Sequence, residues 1–112
     1  MKCTIAGGAT LSADVKTALT ARERVKGLLD RTGLNPGESL VIKPCAQIHT
    51  FFMKFPIAVV FFDKNNRVLR VFDNIPPWRI SPWVFGAAGV VELSAGASGG
   101  IVKPGDMLEF TV

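Results

Sequence analysis

The 112-residue sequence predicts a mainly β protein with a minor α component, a compact β-barrel or jelly-roll-like sandwich with one short helix near residues 21–32. Three observations lead there. Eleven Gly and seven Pro are many for a small helical chain and suit strands joined by tight turns. Short β-rich runs recur between those turn residues, and only one stretch carries helical periodicity. Hydrophobic residues make up 48% and charged residues 20%, which is enough for a packed core and too apolar for a disordered chain. The length suits a single domain, taken as 1–112.

Each element has a local reason. Residues 3–17 are expected to pair as strands. Thr20-Ala21-Arg22-Glu23 matches a capping box, in which the Thr hydroxyl accepts from the Glu amide and the Glu carboxylate reaches back. Ala21, Val25, Leu28 and Leu29 follow at helical spacing, and Gly33 stands where a left-handed cap would close the helix. Residues 39–43 are a short β-rich run stopped by Pro44. Residues 57–63 are apolar up to Asp63, as a strand covered on both faces would be. Lys64-Asn65-Asn66 tolerates positive φ, and residues 67–73 complete a hairpin. Pro76-Pro77 ends that pair and opens an irregular stretch, 78–88, with two Trp. Residues 89–94 read as a strand, Lys103-Pro104-Gly105-Asp106 as a type II turn, and 107–112 as a last strand.

The net charge of +4 is unevenly placed: residues 1–56 hold 8 basic and 4 acidic groups, residues 57–112 hold 5 and 5. The basic cluster of Arg22, Arg24, Lys26 and Arg31 is interrupted by Glu23 and Asp30. It reads as a solvated helix face, and no nucleic-acid partner is expected. No stretch approaches the roughly 18 consecutive apolar residues of a membrane span, and the first residues lack an apolar signal segment. No membrane partner is expected, and the location is taken as cytoplasmic. Cys3 and Cys45 are too few for a disulfide scaffold. With His49 they make three zinc-type ligands, one short of a closed site, so no metal and no cofactor are expected. Gly7-Gly8 and Gly99-Gly100 match neither phosphate-loop spacing, and no Gly-x-Ser-x-Gly elbow occurs.

His49 is the only histidine and the one side chain whose ordinary pKa lies near neutrality. In an extended segment His49, Phe51, Met53 and Phe55 share one face, with Phe52 and Lys54 on the other. His49 reads either as an acid-base or ligand-binding group in an aromatic-lined pocket, or as a half-buried ring bonded to protein through both nitrogens. Cys45 lies about 13 Å away along a strand, too far for a dyad, and reads as buried and structural. Asp63 and Asp106 have turn roles. Glu92 faces opposite Val91 and Leu93, either outward into solvent or as a buried partner for Arg79 or Arg24. Trp78, Trp83 and Phe85 either lid the core or line a pocket mouth. Arg79 offers a fork for a carboxylate or phosphate, and Lys54 adds a second charge or lays its stem along the sheet.

The order of motifs is itself distinctive. Arg24-x-x-Gly27-Leu28-Leu29-x-Arg31 precedes Pro44-Cys45-x-x-Ile48-His49-Thr50-Phe51-Phe52-Met53-x-x-Pro56-Ile57. Phe61-Phe62-Asp63, Pro76-Pro77-Trp78-Arg79, Val91-Glu92-Leu93-x-Ala95-Gly96 and Gly105-Asp106 follow. Over about residues 20–110 the sequence resembles the bacterial and archaeal family called domain of unknown function 192. The resemblance implies a compact, mainly β barrel or jelly-roll-like sandwich with a short helix, and it implies no activity. Many members carry Asp where this chain has Ala58, so chemistry that depends on that carboxylate is not expected here.

The leading expectation is non-catalytic binding of a small polar or anionic ligand by His49, Phe51, Met53, Trp78 and Arg79, with Lys54 and Glu92 as further members. No catalytic residue is assigned. One rival is an enzyme with His49 as general acid/base, assisted by Glu92 or Arg79. The other is a protein-protein interaction module docking through the Trp-rich loop 78–88.

Overall fold

The computed structural model describes residues 1–20, 23, 27–29 and 31–112. Among them run β1 (Lys2–Ile5), β2 (Thr10–Ser12), β3 (Asp14–Ala18), β4 (Glu38–Ile42), β5 (Ile57–Phe62), β6 (Val68–Ile75), β7 (Gly89–Ser94) and β8 (Leu108–Thr111). They form a three-stranded sheet in the order β2-β1-β8 and a five-stranded sheet in the order β3-β4-β7-β5-β6. Neither sheet closes into a barrel; the two stack as a sandwich. Pairing is antiparallel except between β3 and β4, which run parallel.

Strand alternation divides the apolar residues between two cores. In β5, Ala58, Val60 and Phe62 point into the sandwich, where they meet Val91 and Leu93 of β7 and Cys3, Leu11 and Leu108 of the smaller sheet. Ile57, Val59 and Phe61 point the other way, onto a second core closed by Leu28, Ile48, Met53 and Val84. Every residue of β5 is therefore buried, as its unbroken apolar run requires. The second core is roofed by loops and by the segment around residues 27–34.

Turn chemistry works as the sequence indicates. Asp63 Oδ1 accepts the amides of Asn65 (2.8 Å) and Arg67 (2.9 Å), and Asn66 takes φ 65° between β5 and β6. Gly105 takes φ 95°, and the Asp106 amide donates to the Lys103 carbonyl at 3.1 Å.

The helix departs from expectation. Its capping box forms: the Glu23 amide donates to Thr20 Oγ1 and the Thr20 amide to Glu23 Oε1, each at 3.1 Å. The Gly27 amide then donates to the Glu23 carbonyl at 2.9 Å, but Gly27 has φ 45° and residues 27–29 form a turn. Gly33 is not left-handed. The expected span 21–32 therefore does not run as helix past Gly27, a residue able to take positive φ without a Cβ clash. Residues 21, 22, 24–26 and 30 of that span lie outside the described residues. Beyond it, Arg31 forks onto Glu38 at 3.1 and 2.5 Å, and the Asn35 amide adds a third bond to the same carboxylate at 3.1 Å. The Arg31 hydrogen bonds, with help from Asn35, hold the Glu38 carboxyl below its ordinary pKa and tie the roofing segment to β4.

Candidate functional site

The site grows from β7, the middle strand of the larger sheet. Val91 and Leu93 point into the sandwich, so Glu92 shares the loop-covered face with Val90. Its cross-strand neighbours are Leu40 on β4 and Val59 on β5, both apolar. Two loops, 44–56 and 76–88, roof this face and hold each other through backbone bonds. The Thr50 amide donates to the Arg79 carbonyl at 2.8 Å, the Trp78 amide to Thr50 at 2.9 Å, and the Ser81 amide to Ile48 at 2.9 Å. Thr50, fully buried, joins them again: its hydroxyl donates to the Pro76 carbonyl at 2.6 Å and accepts the Arg79 amide at 2.9 Å.

Between roof and sheet lies a cleft of about 240 Å³ whose lining includes Leu28, Cys45, Gln47, His49, Met53 and Glu92. Glu92 is 4% exposed, and no described residue forms a hydrogen bond or ion pair with its carboxyl. Burial alone pushes that carboxyl up to about 7. The outward, solvated reading of Glu92 is therefore overturned: its face of the sheet is covered by loops, with Val90 and Val59 beside it. It is not paired with Arg79, whose guanidinium is exposed and donates to the Trp78 carbonyl at 3.4 Å. Arg24, the other partner considered, lies outside the described residues.

His49 stands at the exposed edge of the cleft. Its Nδ1 accepts the Phe51 amide at 3.3 Å, which leaves Nε2 to carry the proton of the neutral ring. The ring stacks on Phe51 with centroids 5.1 Å apart. The half-buried reading with both nitrogens bonded to protein does not hold. Nor does a continuous extended run through 49–55. A turn closes where the Met53 amide donates to the Thr50 carbonyl at 3.2 Å, with Phe52 at φ 65°, and it swings Met53 inward while Phe51 and Phe52 face solvent.

Of the residues singled out in the sequence, His49, Met53 and Glu92 come together at the cleft. Phe51 and Trp78 meet outside it, their ring centroids 6.2 Å apart, and Lys54 and Arg79 are exposed and absent from its lining. Trp78, Trp83 and Phe85 neither lid the core nor line the cleft; Val84 and Ser81 do the covering, and the three rings are exposed. Cys45 is not the buried structural thiol expected. It is half-buried on the cleft wall and donates to the Gln47 carbonyl at 3.3 Å, whereas Cys3 is fully buried and pushed up to about 12 by that burial. Gln47 and Leu28 were not among the candidates. Leu28 carried a signal in the apolar stripe after the capping box; Gln47, whose amide donates to the Ser81 carbonyl at 2.9 Å, carried none. Ala58, the position where many members of the resembling family carry Asp, packs inside the sandwich and away from the cleft.

Comparison with solved structures supports the fold. A protein of unknown function from Novosphingobium aromaticivorans aligns with 97% of this chain and 84% of its own at a TM-score of 0.85 and 24% identity. A Sinorhizobium meliloti protein described as a "putative transcription regulator" aligns with 96% of this chain and 89% of its own at a TM-score of 0.79 and 24% identity. No curated relative matches the sequence. The model of the DUF192 family, described as "Uncharacterized ACR", matches residues 2–110. With nearly its whole length matched, the chain belongs to the DUF192 family.

Proposed function

We propose that this chain binds a small polar ligand in the cleft above the larger sheet. Glu92 carries the reading. A carboxyl that is 4% exposed, opens on a cleft and has no partner among the described residues is a polar group awaiting one. At about 7, it shares its time near neutrality between an acid that donates a hydrogen bond and a carboxylate that accepts one. A hydroxyl or amide on the ligand satisfies both forms, an ammonium satisfies the carboxylate, and apolar walls from Leu28, Ile48 and Met53 complete the site. The volume suits a ligand smaller than drug-sized pockets of roughly 300–1,000 Å³ accept. An anionic ligand is the weaker fit, because Lys54 and Arg79 stand outside the lining and Glu92 would repel it.

The test is a two-dimensional amide NMR titration of the wild type and Glu92→Gln against pooled amines, sugars, amides, carboxylates and nucleotides. Saturable shifts at residues 27–29, 42–49 and 92 that weaken at least tenfold in the variant support the reading. A well-dispersed spectrum with no shifts, or shifts elsewhere on the surface, overturns it.

One observation favours acid-base chemistry as a second reading. His49 and Glu92 line the same cleft, and a carboxyl near 7 sits where proton transfer at neutral pH is efficient. Turnover of a bound ligand that loses one limb of its pH profile in Glu92→Gln would select this reading over simple binding.

A further inference from the structure

All the exposed aromatic side chains among the described residues come from the two roofing loops: Phe51, Phe52, Trp78, Trp83 and Phe85. Trp78 is 55% exposed, Trp83 57% and Phe85 86%, and Ile80, 59% exposed, lies among them. These are not residues left over from covering the core. The inward positions of the paired loops are filled by Ile48, Thr50, Ser81 and Val84, all buried. Five of the outward positions, which on an ordinary roof would be polar, carry Phe or Trp rings. The Phe52 and Trp78 rings lie with centroids 4.8 Å apart, and both residues hold a left-handed backbone, at φ 65° and 66°, a strained conformation for bulky aromatic residues. Both rings are exposed, Phe52 at 69% and Trp78 at 55%.

Within the two loops the charge has one sign. Residues 39–62 and 74–91 contain no Asp or Glu, while Lys54 and Arg79 are exposed within the loops. We propose that the two loops form a peripheral contact surface for a lipid bilayer carrying anionic headgroups. Trp and Phe settle at the boundary between headgroups and acyl chains, where a ring finds both apolar and polar neighbours. Lys54 and Arg79 reach the headgroup phosphates and carboxylates, and the loops themselves contribute no acidic side chain to repel them. Lipid fits better than single-stranded nucleic acid. Base stacking works best on free, parallel ring faces, and here Trp78 makes tilted contacts with Phe51 and Phe52 while His49 stacks on Phe51, which leaves Trp83 and Phe85 as the exposed rings with no ring contact among the described residues. Ile80 has no role in stacking but fits the acyl boundary. Such a contact needs no membrane-spanning segment, so the lack of an apolar run in the sequence does not bear on it. The surface is distinct from the cleft, and neither proposal depends on the other.

Both tryptophans of the chain lie in the patch, so intrinsic fluorescence reports on it directly. The full chain is titrated with phosphatidylcholine vesicles, with and without phosphatidylserine, and binding is read by co-sedimentation and by the Trp emission maximum. The expected result is co-sedimentation with the phosphatidylserine vesicles, weakened by salt and accompanied by a blue shift. Affinity should fall at least tenfold in Trp83→Ser/Phe85→Ser, and the salt dependence should shrink in Arg79→Glu. Far-UV circular dichroism verifies each variant's fold, and Ile80→Ser replaces any that unfolds. Absence of binding to either vesicle overturns the proposal. So does binding unaffected by these variants, or a concentration-dependent dimer whose Trp emission shifts without lipid, which would make a second copy of the chain the occupant.

Discussion

Glu92→Gln keeps the shape of the side chain and removes its ionisation, which makes the burial of the carboxyl measurable. The folded carboxyl titrates at about 7, against an ordinary value of 4.5. Between those two values the folded state holds a proton that the unfolded chain has already released. The unfolded state therefore binds fewer protons, and stability falls as pH rises through that window. Below it both states are protonated and the carboxyl carries no ionic penalty. Above it both are ionised, and the whole penalty, about 3 kcal/mol at roughly 1.4 kcal/mol per pH unit, weighs on the fold. Urea unfolding followed by far-UV circular dichroism across this range, for wild type and variant, isolates the effect, because other titrating groups cancel in the difference. The variant should match the wild type within about 1 kcal/mol at the acid end and exceed it by about 2–3 kcal/mol at the alkaline end. A difference that stays flat across the range would refute the reasoning and show that Glu92 is as well solvated folded as unfolded.

Three further perturbations probe what positions the site. Gly89→Ala would place a Cβ 2.6 Å from Lys43 Cγ, 2.8 Å from Phe62 Cζ and 2.9 Å from the Ile42 carbonyl, at the start of the strand that carries Glu92. A loss of about 2–3 kcal/mol is expected in urea unfolding. Thr50→Val removes a buried hydroxyl that both donates and accepts between the loops; about 1–3 kcal/mol should be lost, with faster amide exchange at residues 48–53. Iodoacetamide should alkylate Cys45 in the native protein and leave Cys3 untouched until urea is added, because Cys3 is fully buried with its thiol held at about 12; peptide mass spectrometry distinguishes the two.

The legible parts of this fold are those with local causes. The unbroken apolar run of β5, the Asp63-to-Asn66 turn and the Pro104-Gly105 turn depend on neighbouring residues and stand where the sequence places them. The helix end was misplaced because two glycines, Gly27 and Gly33, can each close a turn, and tertiary contacts of the following segment decide between them. Glu92 shows the limit of alternation. Its direction relative to Val91 and Leu93 was readable, but whether that direction leads to water depends on loops distant in sequence. One clue was present: Val90 lies on the same face, and an apolar neighbour there signals that the face is covered. The exposed rings were legible only as alternatives: loop 78–88 read as a core lid, a pocket mouth or a docking surface, and local sequence does not decide among them because aromatic residues are ordinarily core.

The smaller sheet has a mechanical character that follows from its register. Lys2 pairs with Thr111 at one end of the β1–β8 ladder and Ile5 with Leu108 at the other. A load applied through residues 1 and 112 meets the bond from the Val15 amide to the Met1 carbonyl (2.8 Å) and the Lys2–Thr111 pair together. It breaks the ladder rung by rung, as a zipper opens, rather than shearing all its hydrogen bonds together. Peeling of this kind needs little force and would bare the inner faces of Val60 and Val91. It would leave the β4–β7–β5 ladders and the roof over Glu92 standing. Tension along the chain thus separates the two faces of the larger sheet into one that yields early and one that bears its ligand cleft undisturbed.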